Sequence, residues 1–153
     1  MGCELTAEPA DLQHAAADEL IRLTALTRSV FARVAEEHGL PAAQARMMCV
    51  LAGGPRRMSE LAGLLDIEKA ALTGLADRAE RRGLIARAPV PGDRRALSVA
   101  LTPQGDTAAA AFHRDVSAEL ANLTAVLPAG ERARFCRSLA RITTAAASRG
   151  AVA

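Results

Sequence analysis

Apolar residues recur at helical spacing over most of the chain. From about Asp11 to Glu37 they form one face at intervals of three or four residues. Gly39 is placed to end this helix, and Pro41 to occupy the first turn of a second helix, Ala42 to about Ala52. Gly53-Gly54-Pro55 then breaks the chain. The residues predicted on the face of the first helix are Leu20, Leu23, Thr27, Val30 and Val34.

Two short helical patterns follow, separated by a tight turn at Asp66-Ile67. Ser59 is a suitable N-cap for the first pattern, and Gly83 ends the second, which runs from about Glu68 to Arg82. Two short helices joined in this way predict a helix-turn-helix. Its predicted inward residues are Leu61, Leu64, Leu65, Leu72, Leu75, Ala76 and Ala79.

The pattern then changes to the alternation of a half-buried strand. Residues 84–90 and 96–101 flank the charged segment Pro91-Gly92-Asp93-Arg94-Arg95, and apolar side chains alternate in the second strand. These segments predict a β-hairpin with a charged tip. A two-stranded ribbon of this length needs support from the adjoining helices.

Two long helices complete the chain. Thr102 is a suitable N-cap with Pro103 at the first helical position, and this helix is predicted to reach about Leu127. A final helix is predicted from about Pro128 to Ser148. The predicted apolar positions are Ala109, Phe112, Val116, Leu120, Leu123 and Leu127 in the first, and Phe135, Leu139, Ile142 and Ala146 in the second.

These elements predict a mainly α fold with a small β-wing. Residues 41–102 form a winged helix-turn-helix lobe, and residues 11–40 and 103–148 form long helices whose apolar stripes need a partner from the same or a second subunit. Residues 1–10 are predicted to be a flexible tail before a single domain, 11–153. The low aromatic content, 2%, with no Trp or Tyr, favours closely packed helices.

Positive charge is concentrated in the middle of the chain. Residues 56–95 hold nine basic and six acidic side chains, whereas the other residues carry a net charge of −1. All but one of the 19 basic residues are arginines, whose forked donors suit phosphate groups and guanine edges. This distribution predicts a local binding site for a polyanion.

Other function classes lack a signature. No nucleophile elbow, phosphate loop or carboxylate cluster indicates an enzyme, and no apolar run approaches a membrane span. His14 and His38 show no metal-ligand spacing, so neither a metal nor another cofactor is expected. Three widely spaced cysteines, Cys3, Cys49 and Cys136, predict a reducing, cytoplasmic compartment.

Three motifs in order make the chain resemble the MarR family of bacterial regulators. They are the helix end DRAERRGLI at 77–85, the wing tip DRR at 93–95 and the helix start LTPQG at 101–105. The flanking helices match that family in length and order. The resemblance implies a homodimer that represses a gene by binding the two halves of a palindromic operator, and that leaves the DNA when a small ligand binds, often an aromatic acid.

The resemblance places the helix at 68–82 in the major groove. Its predicted outward positions are Lys69, Ala70, Thr73, Gly74, Asp77 and Arg78. Thr73 can contact a base edge or a thymine methyl, and Lys69 and Arg78 can reach phosphate or base acceptors. For Arg78 and Arg81 the alternative is a solvated helix face, with Arg78 paired to Asp77 or Glu80.

The Asp-x-Arg pair of the family wing corresponds to Asp93 and Arg95. The resemblance implies that Arg95 enters the minor groove, where A·T tracts concentrate negative potential. We expect Asp93 to orient the Arg95 side chain and Arg94 to contact backbone phosphate. An ordinary charged hairpin tip is the alternative interpretation.

Two departures weaken major-groove reading by the predicted recognition helix. Family members often carry an arginine where this chain has Gly74. Glu68 stands at the helix start, where a hydroxyl is common; its acid suits the helix dipole but repels phosphate. The wing is therefore expected to contribute more of the binding.

The sequence indicates less clearly which residues sense the signal that controls the protein. The family pocket lies among the first, second and fifth helices, which makes Thr24, Thr27, Arg28, Met48 and His113 candidate ligand contacts, although core packing or a solvated face explains each equally well. Redox control through Cys49 or Cys136 is an alternative, although the first helix has no cysteine. A winged helix kept for protein–protein assembly, with no operator, is a further alternative.

Overall fold

The computed structural model describes residues 9–148, apart from the side chains of Pro9, Ala10 and Arg94. These residues form a mainly helical winged helix-turn-helix, which confirms the predicted fold class. The flexible tail was predicted over residues 1–10, of which residues 1–8 lie outside the described part of the chain. The elements are α1 (Pro9–Glu37), α2 (Ala42–Leu51), β1 (Arg56–Arg57), α3 (Met58–Leu65), α4 (Lys69–Arg81), β2 (Ile85–Val90), β3 (Asp93–Leu101), α5 (Pro103–Leu123), a 3-10 turn (Thr124–Val126) and α6 (Ala129–Ser148).

Two helix starts differ from their predicted positions. Pro41 has ψ 137° and is the N-cap of α2 rather than its first residue. Helix α3 begins at Met58, so Ser59 lies inside its first turn and Arg57 is the N-cap. The Arg57 backbone N–H donates to Glu60 Oε2 at 3.1 Å, which satisfies the helix start without a capping hydroxyl.

Helix α5 ends one turn earlier than predicted. The 3-10 turn follows it, and Leu127, expected to be helical, has ψ 136°. The Arg132 guanidinium in α6 donates to the carbonyl oxygens of Thr124, Ala125 and Leu127 at 3.2, 3.4 and 3.0 Å. These bonds add acceptor contacts at the end of the helical segment, where the Thr124 carbonyl also accepts from the Leu127 N–H at 3.1 Å. Apolar periodicity could not predict them.

The wing is a three-stranded antiparallel sheet in the order β1-β3-β2. Strand β1 pairs Arg56 with Val99 and Arg57 with Ser98. Strand β1 was not predicted, because two residues are too few to show alternation and its pairing depends on the distant β3. Gly92, with φ +81°, lies in the turn between β2 and β3.

The core lies between the helix-turn-helix, the base of the wing and the neighbouring ends of α1 and α5. Phe31 and Phe112 meet edge to face with their ring centroids 4.8 Å apart, which joins α1 to α5. The four residues predicted on the inner face of α4 are all buried. Other buried members are Val30, Val34, Met47, Met48, Leu61, Leu65, Leu84, Ile85, Val99 and Ala109.

The outer helices leave apolar side chains uncovered. Leu20, Ile21 and Leu26 on α1 are 45%, 69% and 45% exposed, and Ile142 on α6 is 52% exposed. No described residue of α6 is buried. Within residues 9–148, no helix combines the length and the apolar character that crossing a membrane requires.

Candidate functional site

The two helices of the helix-turn-helix are joined at Asp66, which takes the left-handed conformation with φ +52°. The Ile67 N–H donates to the Ala62 carbonyl at 3.1 Å, which closes the turn. Glu68 occupies the N-cap position of α4, but its side chain makes no capping hydrogen bond. Because the opposite face of α4 is buried in the core, its first two turns present Lys69, Ala70 and Thr73 to solvent.

A groove of about 390 Å³ lies between α3, α4 and the wing. It brings together Lys69, Thr73, Asp93 and Arg95, which the sequence analysis selected from two separate segments. Three basic side chains and one acidic side chain line it around an apolar floor. The lining residues are Arg57, Met58, Ser59, Lys69, Leu72, Thr73, Asp93, Arg95, Ala96 and Leu97.

Two polar lining residues, Arg57 and Ser59, were not among the predicted site residues. Both belong to the start of α3, and strand β1 carries Arg57 to the base of the wing. The available signal was the Arg56-Arg57 pair at the beginning of the basic segment. None of Arg57, Lys69 and Arg95 takes part in an ion pair among the described side chains, so their charges outnumber the single negative charge of Asp93 in the groove.

Three other predicted contacts, Ala70, Gly74 and Arg78, are on α4 outside the groove lining. A Cβ atom on Gly74 would lie 3.4 Å from Arg78 Nη1, so the Arg78 guanidinium reaches back along the helix over Gly74. Arg78 therefore places a cation beside Gly74, where the resemblance had suggested that an arginine is common. The Thr73 hydroxyl donates to the Lys69 carbonyl at 2.9 Å, which leaves its oxygen lone pairs and its methyl group available.

The suggested pairing of Arg78 with Asp77 or Glu80 is wrong, because Arg87 of β2 takes both carboxylates. Arg87 Nη2 lies 2.6 Å from Asp77 Oδ1 and 2.6 Å from Glu80 Oε2. The Arg87 guanidinium lowers the pKa of Glu80 below its ordinary value. The Glu80 carboxylate, followed by that of Asp77, raises the pKa of Arg87. This cluster connects α4 to strand β2 of the wing.

Asp93 contacts the backbone of the wing rather than the Arg95 side chain. Its Oδ1 accepts a hydrogen bond from the Arg95 N–H at 3.1 Å, which forms an Asx turn. Strand pairing shifts here: Pro89 faces Leu97, but Val90 faces Asp93, so residues 94–96 bulge from the ladder. Asp93 thus holds the bulge that carries Arg95. Arg94 was predicted to contact phosphate, but its side chain is not among those that the structure describes.

The base of the wing is fixed to α5 through the LTPQG segment. Thr102 Oγ1 donates to the Gly83 carbonyl at 2.5 Å and accepts from the Gly105 N–H at 3.0 Å, as an N-cap does. The Thr102 N–H donates to the Leu84 carbonyl at 3.1 Å. Gly105 is buried against that same carbonyl, where a side chain would collide with the backbone.

A second cavity, of about 720 Å³, lies between α1, α2 and α5. Of the predicted ligand contacts, Thr27 and Arg28 line it; Thr24, Met48 and His113 do not. Met48 is fully buried in the core, while Thr24 and His113 are exposed on their helices. The full lining is Thr27, Arg28, Phe31, Ala32, Ala42, Ala43, Arg46, Val116 and Leu120.

Arg46 was not predicted, although it gives this cavity a second cation. Its Nη2 donates to the Leu65 carbonyl at 3.2 Å, at the end of α3. Arg46 therefore contacts both the cavity and the helix-turn-helix. An arginine pair beside Phe31, Val116 and Leu120 suits an anion with an apolar body.

The remaining titratable groups form no further site within the described residues. No group of three potential metal ligands occurs there, and His38 instead contacts Asp115 at 2.9 Å. Cys49 is half-buried, and burial raises the pKa of its thiol, which disfavours the reactive thiolate. Cys136 is exposed on α6.

Comparison with known proteins matches the part of the chain that holds the groove. The MarR family model matches residues 38–96. The HTH-type transcriptional repressor MdtR of Bacillus subtilis (strain 168) is 36% identical over 72 residues. That match spans 46% of this chain and 46% of MdtR, so it covers about half the length of each protein.

Solved structures resemble nearly the whole chain. Wild-type MarR from E. coli in its apo form is 25% identical with a TM-score of 0.69, and the match covers 89% of this chain and 97% of that one. The transcriptional repressor CouR bound to a 23-mer DNA duplex is 26% identical with a TM-score of 0.68, covering 90% and 98%. The family model on the winged lobe and these likenesses along the flanking helices make the chain similar to MarR-family regulators along most of its length.

Proposed function

We propose that this chain is a DNA-binding transcriptional regulator that acts as a homodimer on a palindromic operator. The observation that carries the proposal is the groove in which Arg57, Lys69 and Arg95 come together without ion-pair partners among the described residues. The sugar-phosphate backbone between the major and minor grooves of a bound duplex would pass between α4 and the wing. Three free cations along that path would release counterions from it.

Base reading is assigned to α4 and the wing. Lys69, Ala70, Thr73, Gly74 and Arg78 would face the major groove, and Arg95, on the bulge held by Asp93, would enter the minor groove. Arg94 would contact phosphate beside it. CouR, the relative solved with a duplex, supports this assignment by its fold.

The homodimer is proposed from the outer helices, residues 11–40 and 103–148. The exposed apolar residues of α1 and the absence of buried residues from the described part of α6 indicate that these helices need a partner. A second copy would cover them and would place two winged lobes on adjacent half-sites, as two-fold symmetry requires.

Control by a small molecule is proposed for the cavity between α1, α2 and α5. Arg28 and Arg46 would pair with the carboxylate of an organic acid, and Phe31 and Val116 would contact its apolar part. A ligand there would lie beside Arg46, which is bonded to the end of α3. Its binding would release DNA, so that the ligand-free protein represses; we place this activity in the cytoplasm.

The test is selection of duplexes from a random-sequence library, followed by binding titrations across salt concentrations and by light scattering. We expect a palindromic site, a two-chain mass, and an affinity that falls steeply with salt, because several phosphates are contacted. Arg95→Ala should lose about 1–3 kcal/mol of binding free energy. A salt slope near zero would overturn the proposal in favour of a protein–protein module.

A further inference from the structure

The exposed face of the recognition helix carries two acids as well as its cations. Lys69, Thr73 and Asp77 are four residues apart and follow one another along one face of α4, and Glu80 comes on the next turn. Side-chain exposures of 46% for Asp77 and 38% for Glu80 leave both carboxylates in contact with solvent. Facing a duplex, two such charges would repel phosphate.

A single guanidinium from the neighbouring strand contacts both acids. Arg87 Nη2 is 2.6 Å from Asp77 Oδ1 and from Glu80 Oε2, and Arg87 Nε donates to Glu80 Oε2 at 3.0 Å. The Arg87 backbone N–H also donates to Glu80 Oε1 at 3.1 Å. The Arg87 side chain is only 21% exposed, so the ion pairs are partly shielded from water.

We infer that Arg87 is an internal counter-ion, which draws the charges of Asp77 and Glu80 toward the wing strand so that the recognition helix presents its cations to DNA. The inference rests on the proposed DNA-binding function. It explains why Arg78, next to Asp77 in the chain and two residues before Glu80, makes no ion pair among the described side chains. Arg87 acts here as a positioning residue that does not itself touch DNA.

Arg87 also connects the wing to α4, and loss of that connection alone would weaken binding. Three variants separate the two effects. Arg87→Met leaves both carboxylates uncompensated. Arg87→Met combined with Asp77→Asn and Glu80→Gln removes the ion pairs together with the charges, and Arg87→Lys keeps the positive charge while losing the forked geometry.

The experiment measures the affinity of each variant for the duplex selected by the native protein, at low and moderate salt. We expect Arg87→Met to bind about tenfold more weakly, with the loss greatest at low salt, because like charges then face each other. The triple variant and Arg87→Lys should return to within about threefold of the native affinity.

Arg33 provides a matched control on a different pair of helices. Its guanidinium also bridges two carboxylates, Glu37 at 2.7 Å and Glu119 at 2.5 Å, between α1 and α5. Arg33→Met should lower the melting temperature, and at a protein concentration where light scattering shows it to be dimeric it should bind the duplex as tightly as the native protein. If Arg87→Met does not fold, Arg87→Gln replaces it as the variant that leaves both carboxylates without a counter-ion.

The outcomes separate the inference from the proposed function. Equal weakness of Arg87→Met and the triple variant would mean that Arg87 is only a tether, and native affinity in Arg87→Met would mean that it has no role in binding; either result overturns the inference. If the native protein selects no duplex, the proposed function fails first.

Discussion

Asp93 and Arg95 are joined by a hydrogen bond from the backbone N–H of Arg95 to Oδ1 of Asp93, 3.1 Å long. The acid therefore shapes the chain that carries the arginine and leaves the Arg95 guanidinium free. This differs from the expectation that the Asp93 side chain orients the Arg95 side chain directly. An Asx turn needs an acceptor oxygen but no negative charge, which makes the two roles separable.

The effect of a substitution at Asp93 on duplex affinity should depend on whether the hydrogen bond is kept, not on whether the charge is kept. Asp93→Asn keeps the acceptor and removes a negative charge from the groove, so we expect duplex affinity equal to or above that of the native protein. Asp93→Ala loses the turn and should weaken binding by about 1 kcal/mol. Parallel titrations of both variants provide the measurement. Equal loss in both variants would instead favour an ion pair with Arg95.

Gly105→Ala should destabilise the whole winged lobe. A Cβ at this position would lie 1.9 Å from the Leu84 carbonyl oxygen, so α5 or the segment that leads into β2 must move. We expect a loss of about 1–3 kcal/mol in the free energy of unfolding. Gly130→Ala in α6 is the matched control, because nothing lies within 4 Å of its added Cβ. Urea unfolding of the two variants measures the difference, and equal stability would contradict this packing.

Stability should fall in acid partly through Glu80. Arg87 holds the pKa of Glu80 below its ordinary value of 4.5, so the ionised form stabilises the folded state above that pH. This contribution disappears as the pH falls through the lower folded-state pKa. Arg114, followed by His38, lowers the pKa of Asp115 in the same direction, so the total loss has more than one source.

Comparison with Glu80→Gln isolates the Glu80 contribution to this acid loss. We expect the free energy of unfolding of that variant to decline less steeply below about pH 5 than that of the native protein. Chemical unfolding at a series of pH values, with the proton resonances of Glu80 followed in parallel, provides the measurement. Identical pH profiles for the two proteins would show that the ion pair with Arg87 does not form in solution.

The cavity between α1, α2 and α5 should prefer an anion to a neutral molecule of the same shape. Benzoate and benzamide are suitable probes, since only the first can pair with Arg28 or Arg46. We expect benzoate to bind more tightly by calorimetry, and Arg28→Met or Arg46→Met to remove the difference. His113→Ala, on the exposed face of α5, should leave it unchanged. Equal binding of both probes would contradict a carboxylate site.

Much of the architecture could be predicted from the residues alone. Apolar spacing located every α-helix within a few residues, because one face of each had to be buried or paired. Gly83, with φ +71°, ends α4 where only a residue free of a Cβ fits easily. The Thr102 cap and the alternation in β3 are equally local, since each depends on neighbours only a few positions away.

Contacts between distant segments decided the rest. Strand β1 exists because Arg56 and Arg57 meet β3, and the same pairing places Arg57 in the groove. Arg87 pairs with the two carboxylates of α4 because the hairpin folds back over that helix. The spacing of residues within α4 could not predict this pairing. The sequence by itself determined the helix-turn-helix, the wing and their order, because these depend on local periodicity and caps. Only the tertiary structure decided which charges are paired and which remain free, because an ion pair is set by distance in space.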